Sequence, residues 1–282
     1  MSLTGGAATG AQGPVSWPRW ARANVGTAMT ALTAPRRFRA VQGTRARVLA
    51  AGLATLLLVA VAMVFADAPL AAASKQLPGW VHAAFAFLTD FGKSGWFLWP
   101  TGIVLAAIAA VTSPALAPLS RLVLAAIAVR TGFLFAAIAV PSLFATIIKR
   151  LIGRARPFVG AVADPFLYGQ LVWRPDYASM PSGHATTAFA AAIAVGLLWP
   201  RLRSVMLVYA LIIAVSRVVL DAHYLSDVIA GAFVGSIGAL IVRDWFARRH
   251  LGFVVDAHGV THALPGPSWA RIKRVARSLM AP

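Results

Sequence analysis

The 282-residue chain contains no cysteine and no glutamate. The first absence excludes disulfides, thiolate metal sites and cysteine-based phosphoryl transfer, and leaves the redox compartment open. The second confines all carboxylate chemistry to eight aspartates, at positions 67, 90, 164, 176, 221, 227, 244 and 256. Negative charge is thus scarce against 26 Lys and Arg, and the formal charge is +18. In a soluble protein such an excess points to nucleic acid, yet no aromatic and basic recognition motif accompanies it here. The basic residues instead flank apolar runs, as expected for anchoring against anionic lipid headgroups, and nucleic acid is set aside as a partner.

Apolar sequence is what the chain has in abundance, at 59%. Several runs reach the length needed to cross a hydrocarbon core. The reading is an all-α integral membrane protein, a six-transmembrane helical bundle with spans near 48–66, 95–112, 131–148, 185–199, 204–219 and 225–242. Residues 1–47, rich in Gly, Ala, Pro and Arg, read as a basic, mostly disordered cytoplasmic arm. Residues 48–242 form the six-span domain, and 243–282 a basic cytoplasmic tail. A cleaved signal peptide with small residues at Ala71 to Ala73 competes for the first run, but the basic leader and the length of the run favour a retained anchor. Residues 67–94 are expected outside, with a short surface helix over 78–91. The third apolar stretch contains Arg130. It lies at the inner surface if the span starts near Thr131, the preferred reading, or snorkels from within the helix.

Basic residues in the arm, the 113–130 connection, the 200–203 turn and the tail place both termini in the cytoplasm. The loop from Lys149 to Gly183 must then lie outside, although it carries Lys149, Arg150, Arg154, Arg156 and Arg174. An anionic ligand is the simplest reason for positive charge on that side.

Three polar clusters sit at the ends of successive apolar runs. In Lys149-Arg-Leu-Ile-Gly-Arg-Ala-Arg156-Pro157, the Lys and Arg carry only donors and suit the oxygens of a phosphate. A basic membrane flank is the bland alternative. In Pro181-Ser182-Gly183-His184, Ser182 caps the next helix and Gly183 allows close backbone approach, so the free amides of the first turn point at an anion. An ordinary N-cap beside a stray histidine competes with that. In the third cluster, Ser216 to Asp227, His223 and Asp227 are four apart. If a helix starts near His223 they share a face, so the carboxylate holds one ring nitrogen and leaves the other free to attack phosphorus. Asp221 competes as the partner, and a metal site from Asp221, His223 and Asp227 is a further alternative.

The joint pattern, KxxxxxxRP, PSGH and SRxxxxxHxxxD in this order, resembles the type 2 phosphatidic acid phosphatase family of membrane lipid phosphatases. All three motifs are complete, and the resemblance covers about Thr146 to Asp227. It implies that Lys149, Arg156, Ser182, Gly183 and Arg217 bind phosphate. His223 is then the nucleophile supported by Asp227, and His184 the acid that protonates the leaving oxygen. The expected activity is metal-independent hydrolysis of a lipid phosphate or diphosphate through a phosphohistidine, without a cofactor. The site would face the periplasm from a bacterial inner membrane. Vanadium-dependent haloperoxidases are similar in the same motifs, but the spans favour a lipid. Undecaprenyl diphosphate is the first substrate expected, because Arg150, Arg154 and Arg174 hint at a headgroup with more than one phosphate. Lipid A follows closely, then phosphatidylglycerophosphate and phosphatidic acid. A lipid-to-lipid phosphotransferase and a lipid transporter remain as rivals.

Overall fold

The computed structural model describes residues 17–34, 44–160, 162–169, 171–256 and 259–280. The fold is mainly helical. Helix α1 spans Trp17–Thr33, α2 Thr44–Phe65, α3 Asp67–Ser74, α4 Gly79–Asp90 and α5 Gly95–Val111. After these come α6 Pro118–Ile152, α7 Gly183–Leu198, α8 Arg203–Val219 and α9 Leu225–Arg248. The hairpin β1 (Phe253–Val255) and β2 (Thr261–Ala263) and the helix α10 (Trp269–Met280) close the chain. The two strands pair antiparallel, Val254 opposite His262.

Among the described residues, five segments are helical, long and apolar enough to cross a membrane: Ala46–Phe65, Gly79–Val111, Pro118–Ile152, Pro200–Val219 and Leu225–Arg248. The remaining expected span, the fourth, is α7, which has 16 residues, so it rises about 24 Å, short of a ~30 Å core. It sits at the centre of the bundle, where Ala188, Ala190, Ala191 and Ala194 are fully buried. Its alanines are small enough for α6, α8 and α9 to pack around it. The closest approach is to α9, where Gly231 and Gly235 lie against the α7 backbone and leave no room for a side chain. By contrast Leu53, Leu56 and Leu57 of α2 stand more than 60% exposed. A row of bare leucines on one helix face suits lipid rather than water.

The structure departs from the sequence reading in several places. Within the arm expected to be disordered, Trp17–Thr33 is a helix. It docks on α5, where the Trp20 Nε1 donates to Ala110 O at 2.8 Å and the Asn24 amide donates to Thr112 O at 2.8 Å. These side-chain donors cover carbonyls at the end of α5, which a helix terminus otherwise leaves open. Residues 35–43 of the arm lie outside the described residues. The third span is one continuous 35-residue helix, about 52 Å long and longer than a bilayer core requires. Arg130 lies within it and donates to Leu264 O, so the tail folds back onto it. The last span helix continues past Val242 to Arg248, and the described part of the basic tail beyond it holds the hairpin and α10. In that tail, Val275 of α10 buries itself against Val123 and Leu124 of α6.

Candidate active site

Helices α6 and α8 run toward the end of the bundle from which α7 and α9 depart. Their alternation therefore brings the C-termini of α6 and α8 beside the N-termini of α7 and α9. All three motifs meet there. Gly153, in the left-handed region at φ 64°, ends α6 with its N–H on Lys149 O. Lys149 is thus fixed in the last turn, with its Nζ 3.0 Å from where a Cβ on Gly183 would stand. Any side chain at that position would displace the ammonium, a direct reason for glycine in the motif.

Ser182 occupies the N-cap position of α7 but makes no side-chain cap bond. Its N–H donates to Asp227 O at 3.0 Å, joining α7 to α9, while its buried Oγ has no partner. The Nε of Arg217 is likewise buried and unpartnered, although its Nη1 donates to Thr89 Oγ1 at 2.7 Å. Two buried donors without acceptors suit an incoming anion, since leaving each unsatisfied costs about 1–3 kcal/mol. Arg156 donates through Nε to Pro175 O at 3.2 Å. It shares coulombic range of Lys149 with Arg217. His184 lies within that range of Arg217, His223 and Lys149, and Gly92 packs closely against its Cδ2.

The His223 and Asp227 pair is built differently from the direct bond expected. Helix α9 starts at Leu225, so His223 precedes it on the turn. Its Nδ1 is 3.7 Å from Asp227 Oδ2, beyond a hydrogen bond. The Ser179 hydroxyl lies between them. Its Oγ is 3.3 Å from His223 Nδ1 and donates to Asp227 Oδ2 at 2.5 Å. With the ring proton on Nδ1, imidazole donates to serine and serine to carboxylate, which leaves Nε2 with the lone pair. The same Oδ2 accepts the Tyr224 N–H at 2.9 Å, an acidic anchor in the first turn of α9. Burial depresses the His223 imidazole to about 4 despite the pull of Asp227. The ring is therefore neutral and nucleophilic near pH 7.

Asp227 Oδ1 accepts a 2.5 Å ion pair from Arg154 Nη1, and Arg154 Nη2 meets Asp67 Oδ2 at 2.8 Å. Arg154, Asp227 and Asp67 are all at most 1% exposed. Burial works against charge on Arg154, but Asp227 and Asp67 more than offset it and hold its pKa above the ordinary value. The expectation that Arg154 helps hold a second phosphate is thereby corrected, since its guanidinium is saturated inside the protein. Arg174 is also engaged, 3.0 Å from Asp176. Asp221 turns toward Lys75 at 3.7 Å rather than toward His223. Among the described residues no group of three His, Cys, Asp or Glu is placed to hold a metal ion. Sequence reasoning missed Ser179, Asp67, Ser226 and Thr89, which lie outside the three motifs or at their unspecified positions.

Comparison with known proteins places the chain among relatives of stated activity. The PAP2 superfamily model matches residues 130–251. A lipid A 1-phosphatase of Rhizobium johnstonii is 32% identical over 226 residues, covering 79% of this chain and 87% of that protein. A decaprenylphosphoryl-5-phosphoribose phosphatase of Mycobacterium tuberculosis is 39% identical over 98 residues, covering 34% of this chain and 51% of its own length. In fold, the chain is similar to the transmembrane PAP2-type phosphatidylglycerolphosphate phosphatase of Bacillus subtilis. The TM-score is 0.51 at 20% identity, over 70% of this chain and 94% of that one. Complete motifs, their meeting at one end of the bundle and a relative matched along most of its length lead to one conclusion: the chain belongs to the PAP2 superfamily, as a membrane lipid phosphatase.

Proposed function

We propose that the protein removes the 1-phosphate of lipid A by way of a phosphohistidine on His223. The chemistry rests on one observation, the gathering of Lys149, Arg156, Arg217 and the unpartnered Ser182 Oγ around two histidines. In the first step His223 Nε2 attacks phosphorus, the bond from phosphorus to the sugar oxygen breaks, and His184 supplies the proton to that oxygen. Asp227, through Ser179, supports the cation that develops on the ring. In the second step water attacks the phosphohistidine, His184 takes its proton, and inorganic phosphate leaves. Lys149, Arg156 and Arg217, with the amides at Gly183, neutralise the equatorial oxygens throughout. Phosphoryl transfer depends mainly on such positioning and charge.

Lipid A is favoured over a polyprenyl diphosphate on coverage. The lipid A 1-phosphatase relative matches along most of both chains, whereas the polyprenyl-linked relative matches only over 98 residues. The argument for a diphosphate from Arg154 and Arg174 also loses weight once both are in ion pairs. With α7 counted, the bundle has six spans and both termini in the cytoplasm. The end opposite the site carries Arg201, Arg203, Arg243, Arg248 and the basic α10, which belongs inside by the distribution of charge. The site then faces the periplasm of an inner membrane.

The test is phosphate release by the detergent-purified protein and its His223→Ala variant. The panel is lipid A, lipid A already lacking the 1-phosphate, undecaprenyl diphosphate and phosphatidylglycerophosphate. Release from intact lipid A alone, lost in the variant, is expected. Release mainly from undecaprenyl diphosphate would move the assignment to that substrate, and loss of lipid phosphate without free phosphate would mean transfer to another lipid.

A further inference from the structure

Behind the nucleophile a buried chain of charge runs from the motif residue Asp227 to two residues that the motifs do not specify, Arg154 and Asp67. Asp67 follows the end of α2, Arg154 lies in the loop after α6, and Asp227 is in the first turn of α9. Every polar group of the Arg154 side chain is engaged. Its Nε donates to Pro165 O at 2.9 Å, Nη1 to Ser226 Oγ at 2.7 Å and to Asp227 Oδ1, and Nη2 to Asp67 Oδ2. The Tyr224 ring lies 4.5 Å below the guanidinium carbon. Asp67 is held from a second side, accepting the Ser226 N–H at 3.0 Å and the Ser226 hydroxyl. Arg154 is fully buried, so it does not reach a substrate.

We propose that Arg154 and Asp67 are positioning residues for catalysis, which lock Asp227 in place and set the net charge behind His223. The geometry gives each a distinct role. Arg154 occupies Oδ1 of Asp227 and so fixes the rotamer that turns Oδ2 toward Ser179 and His223. Asp67 fixes the Arg154 fork. The charge balance follows from the same contacts. Two carboxylates and one guanidinium leave a single negative charge, matched to the single positive charge that appears on His223 when it takes the phosphoryl group. Without Arg154, two buried carboxylates are left with no cation between them, so the charge behind His223 becomes more negative and Oδ1 of Asp227 loses the donor that fixes it. Without the Asp67 charge, Arg154 neutralises Asp227 and the developing imidazolium loses its counterion. The other charged and titratable groups around the His223 ring are Arg217 of α8, Arg156 of the loop and His184 of α7. None of the three belongs to this chain.

The inference rests on the phosphatase reading and is tested with purified protein in detergent. The variants are Arg154→Gln, Asp67→Asn and the double variant, which restores the single negative charge. Each single variant is expected to lower kcat roughly tenfold to a hundredfold, the range seen when groups supporting a reactive residue are removed. KM for lipid A stays unchanged. The double variant is expected to be several-fold more active than Arg154→Gln alone. His223, followed by NMR of histidine-labelled protein, should titrate at higher pH in Arg154→Gln, at lower pH in Asp67→Asn, and near the wild-type position in the double variant. A double variant no more active than Arg154→Gln, or a raised KM with unchanged kcat, overturns the proposal. If Arg154→Gln does not fold, Asp67→Asn decides alone, and wild-type kcat and titration in it overturn the proposal. Failure of the wild-type protein to release phosphate would count against the phosphatase reading, while the NMR titrations would still judge the network.

Discussion

Replacing Gly231 by alanine tests whether the crossing of α7 and α9 sets the geometry of the site. The glycine lies one turn after Asp227, and a Cβ there would stand 2.5 Å from Ser182 O and 3.1 Å from Ala185 Cβ. The obstacle is backbone, which cannot rotate away as a side chain would. The helices must therefore separate by about 0.7–0.9 Å at this point, and overpacking of this kind costs about 1–3 kcal/mol. A backbone obstacle puts Gly231→Ala near the upper figure, and the gain from replacing glycine within a helix returns about 1 kcal/mol. The net loss is about 2 kcal/mol, or roughly 4–8 °C in Tm for a protein of this size. The same movement stretches the bond from Ser182 N to Asp227 O, now 3.0 Å. A displacement approaching 1 Å in a reacting constellation lowers kcat by about a hundredfold. Tryptophan fluorescence of the detergent-solubilised protein reads Tm, and phosphate release reads kcat. Gly52→Ala is the control, because its Cβ would meet only Phe233 Cζ at an ordinary 3.8 Å. Wild-type Tm and kcat in Gly231→Ala would refute the reasoning.

The acid limb of kcat/KM is expected near pH 4, since burial holds the His223 imidazole at about 4. An ordinary histidine would place that limb near 6.5, and a limb there would show that the ring is not buried as described. Because the folded value is depressed, the unfolded chain takes up this proton first, so His223 also withdraws stability as pH falls from about 6.5 toward 4. Thermal unfolding across that window measures it. Ser179→Ala removes the hydroxyl between His223 and Asp227 and is expected to lower kcat about tenfold to a hundredfold while leaving KM unchanged. A variant with full kcat would mean that the 3.7 Å pair acts directly. Phosphate release should continue at full rate in excess chelator, and loss restored by magnesium would show that a metal takes part.

How far the sequence could be read follows from how each residue does its work. Lys149, Arg156, Ser182, Gly183, His184, Arg217, His223 and Asp227 stand at fixed spacings beside helix ends, so pattern alone singles them out as candidates. Turn chemistry at Gly153 and the helix starts at Gly183 and Leu225 then places them at one end of the bundle. The helix Trp17–Thr33 was hidden because its composition is that of an irregular arm, and its docking uses Trp20 and Asn24 against carbonyls far away in sequence. The reach of α6 and α9 beyond the expected spans was hidden because apolar runs mark lipid contact, whereas helices continue through polar surroundings as well.

The sequence by itself determined the membrane setting and singled out the candidate site residues. Apolar length and scarce acidic charge act locally, and the three motifs carry their own donors and a candidate nucleophile. Only the tertiary structure decided that Arg154 supports Asp227 rather than a ligand, that Asp67 completes that support, and that Ser179 stands between the histidine and its carboxylate. Asp67 and Arg154 are 87 residues apart. No local pattern links them, because a buried guanidinium takes its partners from whichever helix ends the packing brings within hydrogen-bond reach.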